Sequence, residues 1–164
     1  MNDIVCFSKP EDIHGFLSND FRAPFTMHGE RFLSVSQYLL FRRTLLLADG
    51  NRAQQILANK DTDRIAVENV YLPKGLEQIW AGQKQFIAYQ GLIAKYVQNV
   101  QLCEQLLDTG SAVIAACLPQ DTLWGNGLEV NDSAVGEIEL WPGQNLLGFA
   151  LMQVRSALCS TRQF

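Results

Sequence analysis

A chain of 164 residues, 48% hydrophobic and 18% charged, has the make-up of one globular domain with a sizeable core and leaves little room for disorder. A formal charge of -4 and a pI near 5.1 exclude a broad duplex-binding surface, because neutralising a run of phosphates needs an excess of Lys and Arg. A small anionic ligand held by one or two Arg remains allowed.

In chain order, Ile4–Phe7 reads as a short buried strand. Residues 21–34 read as a hairpin whose His28-Gly29 pair supplies the left-handed turn. Ser34 opens an S-x-x-Q pattern with Gln37, a capping box for a helix over residues 35–48 that Gly50 would stop. Two shorter helices are expected over residues 52–59 and 63–70, then a break at Leu72-Pro73. A long helix follows over residues 76–97, with Ile79, Trp80, Phe86, Ile87, Leu92, Ile93 and Tyr96 at helical spacing. A further helix ends at Thr109-Gly110, where Gly suits the left-handed residue after a helix. Residues 112–116 read as a buried strand, 118–131 as loop, 137–140 as an alternating strand, and 145–158 as a last helix. The simplest architecture is α+β, helix-rich, with one domain over residues 1–160 packed on a small mixed β-sheet and a short tail at 161–164.

Cys6, Cys103, Cys117 and Cys159 form no C-x-x-C pair and stand near no His cluster, so reduced, mostly buried thiols are expected, with no metal and no cofactor. No window reaches the ~18 apolar residues of a membrane span, so a cytoplasmic location away from membranes is expected.

Chemistry concentrates in a few loop and cap segments. Trp124 is followed by Gly125-Asn126-Gly127, which lets a flat ring meet a ligand while the backbone approaches closely; a turn with a core-packing Trp explains the same pattern. Asn19 and Asn145 fit hydrogen bonds to ribose or base edges, and equally fit Asx turns or a helix cap. Ser34 and Gln37 are explained by capping, although the amides of that helix start also suit a phosphate. Arg42 and Arg43 lie one turn further in, where a phosphate contact competes with a solvated helix face. His14 and His28 have no acidic or metal partner in the sequence, and Glu129, Asp132, Glu137 and Glu139 are not paired in a way recognisable for glycosidase acid/base work.

Taken in order, the segments resemble the NADAR (YbiA-like) family over nearly the whole chain. The resemblance is carried by Phe16-Leu17-Ser18-Asn19, by the hairpin leading into Phe32-Leu33-Ser34-Val35-Ser36-Gln37-Tyr38, by Lys95-Tyr96-Val97-Gln98-Asn99 with Leu106-Leu107-Asp108-Thr109-Gly110, and by the end of the chain. There Asp121, Trp124-Gly125-x-Gly127, Gly143-x-Asn145-x-x-Gly148 and Leu151-Met152-x-x-Arg155 are similar to the family pattern. Members with known activity hydrolyse the N-glycosidic bond between ribose and a base, with early riboflavin-pathway pyrimidines and ADP-ribosylated guanine among the substrates. By position, the resemblance implies that Asn19, Gln37, Trp124, Gly125, Asn126, Gly127 and Asn145 meet the ligand, and that Asp121, Ser36 and Arg43 stand in the reacting region. The chain departs from the pattern where chemistry is needed: Ser36 replaces a Glu, Gln37 a His, Arg43 a Lys, and Gln144 a frequent Lys.

Cleavage of a glycosidic bond passes through an oxocarbenium-like state that needs an anion, a general acid or a nucleophile such as Lys nearby. Asp121, or a carboxylate of the 127–143 insertion such as Glu129, Asp132 or Glu137, is the sequence-level substitute. The enzyme reading is therefore an N-glycosidase acting on a nucleotide-like ligand or ADP-ribosylated base. The alternatives are a catalytically silent ADP-ribose-binding module, or an interaction protein showing an apolar patch at Phe41, Leu45 and Leu46.

Overall fold

The computed structural model describes residues 3–161. The chain divides into two units: Asn19–Asn99 forms one, and the segments before and after it form the other. Among the described residues no helix is long and apolar enough to cross a membrane.

In the Asn19–Asn99 unit, strands β2 (Phe25–Met27) and β3 (Glu30–Phe32) pair antiparallel, Phe25 opposite Phe32. His28 at φ 53° and Gly29 at φ 81° make the left-handed turn expected of them. Helix α1 (Val35–Leu45) starts at Ser34, whose hydroxyl accepts the Gln37 amide N–H at 3.1 Å. The rings of Phe25 and Phe32 pack on Tyr38 of α1, centroids 6.0 and 5.1 Å away. Helix α1 ends earlier than expected, and Ala48 at φ 54° turns the chain left-handed before the expected stop at Gly50. Gly50 instead opens α2 (Gly50–Ala58), because the Asp49 carboxylate caps the Arg52 N–H. Asp61 likewise caps α3 (Thr62–Val67), which stops before residue 70. Its length is limited by burial: Val70 is only 3% exposed and packs in a cluster with Leu40, Ile56 and Ile65.

Helix α4 (Lys74–Gln98) buries Ile87, Ala88, Gly91, Leu92 and Lys95, the i, i+1, i+4, i+5, i+8 spacing of one helix face. Gly91 permits close approach: a Cβ there would lie 2.8 Å from the Tyr38 ring. At the other end the Gln98 amide bonds both the N–H and the C=O of Thr26 at 2.8 Å, supplying β2 with the two bonds of a neighbouring strand residue. Of the Phe41, Leu45 and Leu46 trio, only Leu45 is exposed, and Phe41 packs against the Leu40 cluster.

In the other unit, β1 (Ile4–Phe7) and β4 (Val113–Ala116) pair parallel, in register from Ile4–Val113 to Phe7–Ala116. Helix α5 (Val100–Asp108) precedes β4, with Gly110 at φ 58° after it, and α6 (Leu146–Thr161) packs on β4. The fold is thus helix-rich α+β, with its parallel and antiparallel pairings in two separate two-stranded sheets. Residues 137–140, expected as a strand, form 3-10 turns instead. Their alternation buries nothing: Ile138 is 37% and Leu140 56% exposed, and Trp141 pins the turn by donating its ring N–H to the Val135 carbonyl at 3.0 Å. Thr161 closes α6, and the rest of the expected tail, residues 162–164, lies outside the described residues. Cys103 and Cys117 are buried, Cys6 is half-buried, Cys159 is exposed, and all four are free thiols.

The seating of α6 on β4 depends on Gly148, where a Cβ would meet the Ile114 carbonyl oxygen at 2.1 Å and the Asn145 amide at 2.4 Å. Replacing Gly148 with Ala should cost about 3 kcal/mol or more and lower Tm by roughly 6 to 12 °C. A melting curve that matches wild type would contradict this close approach.

Candidate functional site

In the Asn19–Asn99 unit, polar chemistry gathers at the start of α1. The Ser36 N–H donates to the Asn19 carbonyl at 3.0 Å, and the Ser36 hydroxyl donates to the Asp20 carboxylate at 2.5 Å. Asn19 and Ser36, two residues expected in the site, are therefore neighbours. Between them stands a carboxylate that the sequence reading passed over. Beside it lies Lys95, fully buried, its amine 5.5 Å from the Phe21 ring centroid and 5.1 Å from that of Tyr96. Desolvation brings the Lys95 ammonium from its ordinary 10.5 down to about 7, although the Asp20 charge pulls the other way. The Asn19 side-chain oxygen is buried without a hydrogen-bond partner, which is costly for an acceptor unless a ligand donor meets it.

The sequence did hold a signal for Lys95. It sits on the buried stripe of α4 with Ala88, Gly91 and Leu92, and a lysine in an apolar stripe is rarely there for packing alone. Asp20 carried none, being one carboxylate in a loop until the fold sets Ser36 against it.

Two other expected residues of this unit are engaged elsewhere. The Gln37 side chain is wholly buried, accepting the Leu33 N–H at 2.7 Å and donating to the carbonyls of Ile56 and Asn59 at 2.8 and 3.0 Å, so it ties α1 to the end of α2. Arg43 bridges both oxygens of Glu77 at 2.6 and 3.2 Å, donates its Nε–H to the Val70 carbonyl at 2.6 Å and lies over the Trp80 ring. Its guanidinium fastens α1 to α4. Ser36 and Arg43 nevertheless line a common cleft of about 210 Å³ with Ile65, Glu68 and Trp80. That volume is below the ~300–1,000 Å³ of pockets for drug-sized ligands and suits a sugar ring better than a whole nucleotide.

In the other unit, the 121–127 loop is shaped by its own polar groups. The Asp121 carboxylate accepts the N–H groups of Leu123 and Trp124 at 2.9 and 2.8 Å, an Asx-type turn that presents the half-buried Trp124. A Cβ on Gly125 would meet Leu118 at 2.5 Å, and one on Gly143 would meet the Gly125 carbonyl at 2.4 Å, so both glycines answer to close packing of the loop. Gly127 adopts φ 79°. Asn126 and Asn145 are fully buried. Asn126 accepts the Leu128 N–H at 3.0 Å and directs its amide to Cys117 Sγ at 3.6 Å. Asn145 accepts the Ala116 N–H at 2.9 Å and donates to the Ile114 carbonyl at 2.8 Å, completing the free edge of β4. A hydrogen bond from the Cys117 thiol brings Cys6 down to about 7, and that contact with burial pushes Cys117 up. Among the described residues no three His, Cys, Asp or Glu side chains gather in a group that could hold a metal ion.

The Lys95 environment makes stability depend on pH. The unfolded chain binds the Lys95 proton up to about 10.5 and the folded chain only to about 7, so stability rises with pH between those values. Lys95→Met removes that burden. Its Tm should exceed wild type by several degrees at pH 7, with the gap closing towards pH 10; a gap that does not change with pH would contradict the depressed amine.

The NADAR domain family matches residues 6–159 of this chain. N-glycosidase R617 of Acanthamoeba polyphaga mimivirus is 31% identical over 132 residues, 79% of this chain and 78% of that protein. Protein irg-1 of Caenorhabditis elegans is 28% identical over 136 residues, 82% of this chain and 64% of that protein. Riboflavin biosynthesis protein VVA0006 of Vibrio vulnificus is 24% identical over 96% of this chain, which spans 39% of that longer protein. The NMR structure of the E. coli protein YbiA superposes with a TM-score of 0.78 at 23% identity, over 99% of this chain and 88% of that one, and so shares its fold. With a family match from the first strand to the last helix and the same fold in YbiA, the chain belongs to the NADAR domain family.

Proposed function

We propose that the protein is an N-glycosidase that cleaves the bond between ribose and a base, with ADP-ribosyl guanine or a ribosylated pyrimidine of riboflavin synthesis as substrate. The observation that carries the reading is the Ser36–Asp20 hydrogen bond beside the buried Lys95. Ser36 stands where the family pattern has a Glu, and the carboxylate it holds restores an anion at that place. Asp20 then stabilises the positive charge that grows on the anomeric carbon and takes a proton from the attacking water, while the base leaves with its bonding electron pair and is protonated from solvent. Ser36 fixes the carboxylate in one rotamer. Lys95 sets its charge: the ammonium form neutralises Asp20, and the neutral amine leaves the full anion to the transition state. The buried acceptor of Asn19 receives a ribose hydroxyl or a base N–H. The names of the mimivirus and Vibrio relatives support this substrate class.

Release of free base from each substrate, followed by chromatography, tests the proposal. Asp20→Asn should lower kcat by about 10² to 10⁴ with the fold intact, the range typical for loss of acid/base help. Activity of wild type should climb as pH rises through about 7, the value to which Lys95 is lowered. Full activity in the Asp20→Asn variant, or no release by wild type after long incubation, would remove this reading. A module that binds nucleotide without turnover is the second reading, favoured by the tie of Arg43 to Glu77 at the place of the family's Lys. It predicts heat on titrating ADP-ribose with no base released.

A further inference from the structure

The acidic balance of the whole chain conceals a cationic half. Residues 19–99 carry ten Lys and Arg against seven Asp and Glu, whereas the rest of the chain carries three against ten. Part of this charge gathers around α2 and α3, where Arg52, Gln55, Asn59, Arg64 and Glu68 line a cavity of about 660 Å³. Lys60 adds a cation at the end of α2, its amine directed to the Leu57 carbonyl and its own carbonyl meeting Arg22 Nη1 at 3.4 Å. Asn59 is anchored in turn, because its carbonyl accepts the buried Gln37 amide one residue from Ser36.

Glu68 lines this cavity and also the small cleft that holds Ser36, so the two spaces adjoin across one side chain. Glu68 takes Nη2 of Arg52 at 3.2 Å, but a guanidinium carries five N–H donors, and the Arg52 side chain is 43% exposed. Among the described residues Arg64 has no ion-pair partner. Two arginines and two amide-bearing residues therefore line a space too large for a monatomic ion, and planar guanidinium forks match phosphate oxygens in pairs.

We propose that the α2–α3 cavity seats the diphosphate of a nucleotide ligand, with Arg52 and Arg64 as its cationic contacts and Glu68 as a competing carboxylate that limits affinity. The direction in which the ligand's sugar points, towards Ser36, rests on the glycosidase reading above. The phosphate seat itself does not, since it is read without any bond being cleaved.

Calorimetric titration of the full chain with inorganic pyrophosphate and with ADP is the test, at two salt concentrations. Wild type should bind both, more weakly at high salt. Arg64→Gln and Arg52→Gln should each raise Kd by about tenfold or more, and the double variant should give no heat. Glu68→Gln should bind more tightly than wild type, a direction that damage to the fold would not produce. Asp20→Asn should leave pyrophosphate affinity unchanged, so failure of the glycosidase reading and failure of this one are distinguishable. Absence of heat from pyrophosphate, an unchanged Kd in the double variant with a wild-type melting curve, or tighter binding of a short single-stranded oligonucleotide than of ADP would overturn the assignment.

Discussion

The burial of Lys95 against the Asp20 carboxylate is the constraint around which the Asn19–Asn99 unit is arranged. An ammonium taken out of water loses hydration that only a nearby anion or a change of protonation can offset. Here both operate: Asp20 favours the charge, burial opposes it, and the amine settles near neutrality at about 7. The surrounding packing serves this pair. Phe21 and Tyr96 close over the amine, and Gly91, one turn earlier on α4, admits the Tyr38 ring that brings α1 within reach. Ser36 then meets Asp20 because the start of α1 is fixed by its own cap and by the Asn19 carbonyl.

Several residues that look like ligand contacts act instead as internal staples, and this shapes the site indirectly. Gln37 and Asn145 each satisfy two or three backbone groups that would otherwise be buried without partners, an arrangement worth more than the same amides would contribute in water. Asn145 achieves this with a backbone at φ 53°, a strained position for a non-glycine residue that its hydrogen bonds hold in place. The Trp124 loop and the start of α1 are each tied down by side-chain hydrogen bonds to their own backbone. In the Asn19–Asn99 unit, Asn19, Asp20 and Ser36 stay half-exposed beside these staples.

Charge follows the same division of labour. Glu77 and Glu68 each hold an arginine on α1 or α2, so the cations of a net-negative chain are oriented rather than dispersed. Arg43 is doubly bridged and lies over Trp80, which makes it part of the helix packing. Arg64 has no such bridge among the described residues, and that difference separates a structural guanidinium from one available to an anion.

Local chemistry determined most of the elements in advance. The His28-Gly29 turn, the Ser34 cap, the long apolar stripe of α4 and the glycine after α5 are decided by backbone preference and by periodicity within a few residues, and those are properties of the sequence itself. The ordered motifs at both ends of the chain likewise carried the family. The tertiary structure decided what depends on neighbours far along the chain. The alternation at residues 137–140 has no partner strand and turns instead, and Gly50 begins a helix because Asp49 caps it. Asp20 stands as one loop carboxylate in the sequence, and only the fold sets it against the Ser36 hydroxyl. Sequence spacing records which groups a chain possesses; which of them share one patch of low dielectric, and so alter each other's charge, is settled only when distant segments pack together.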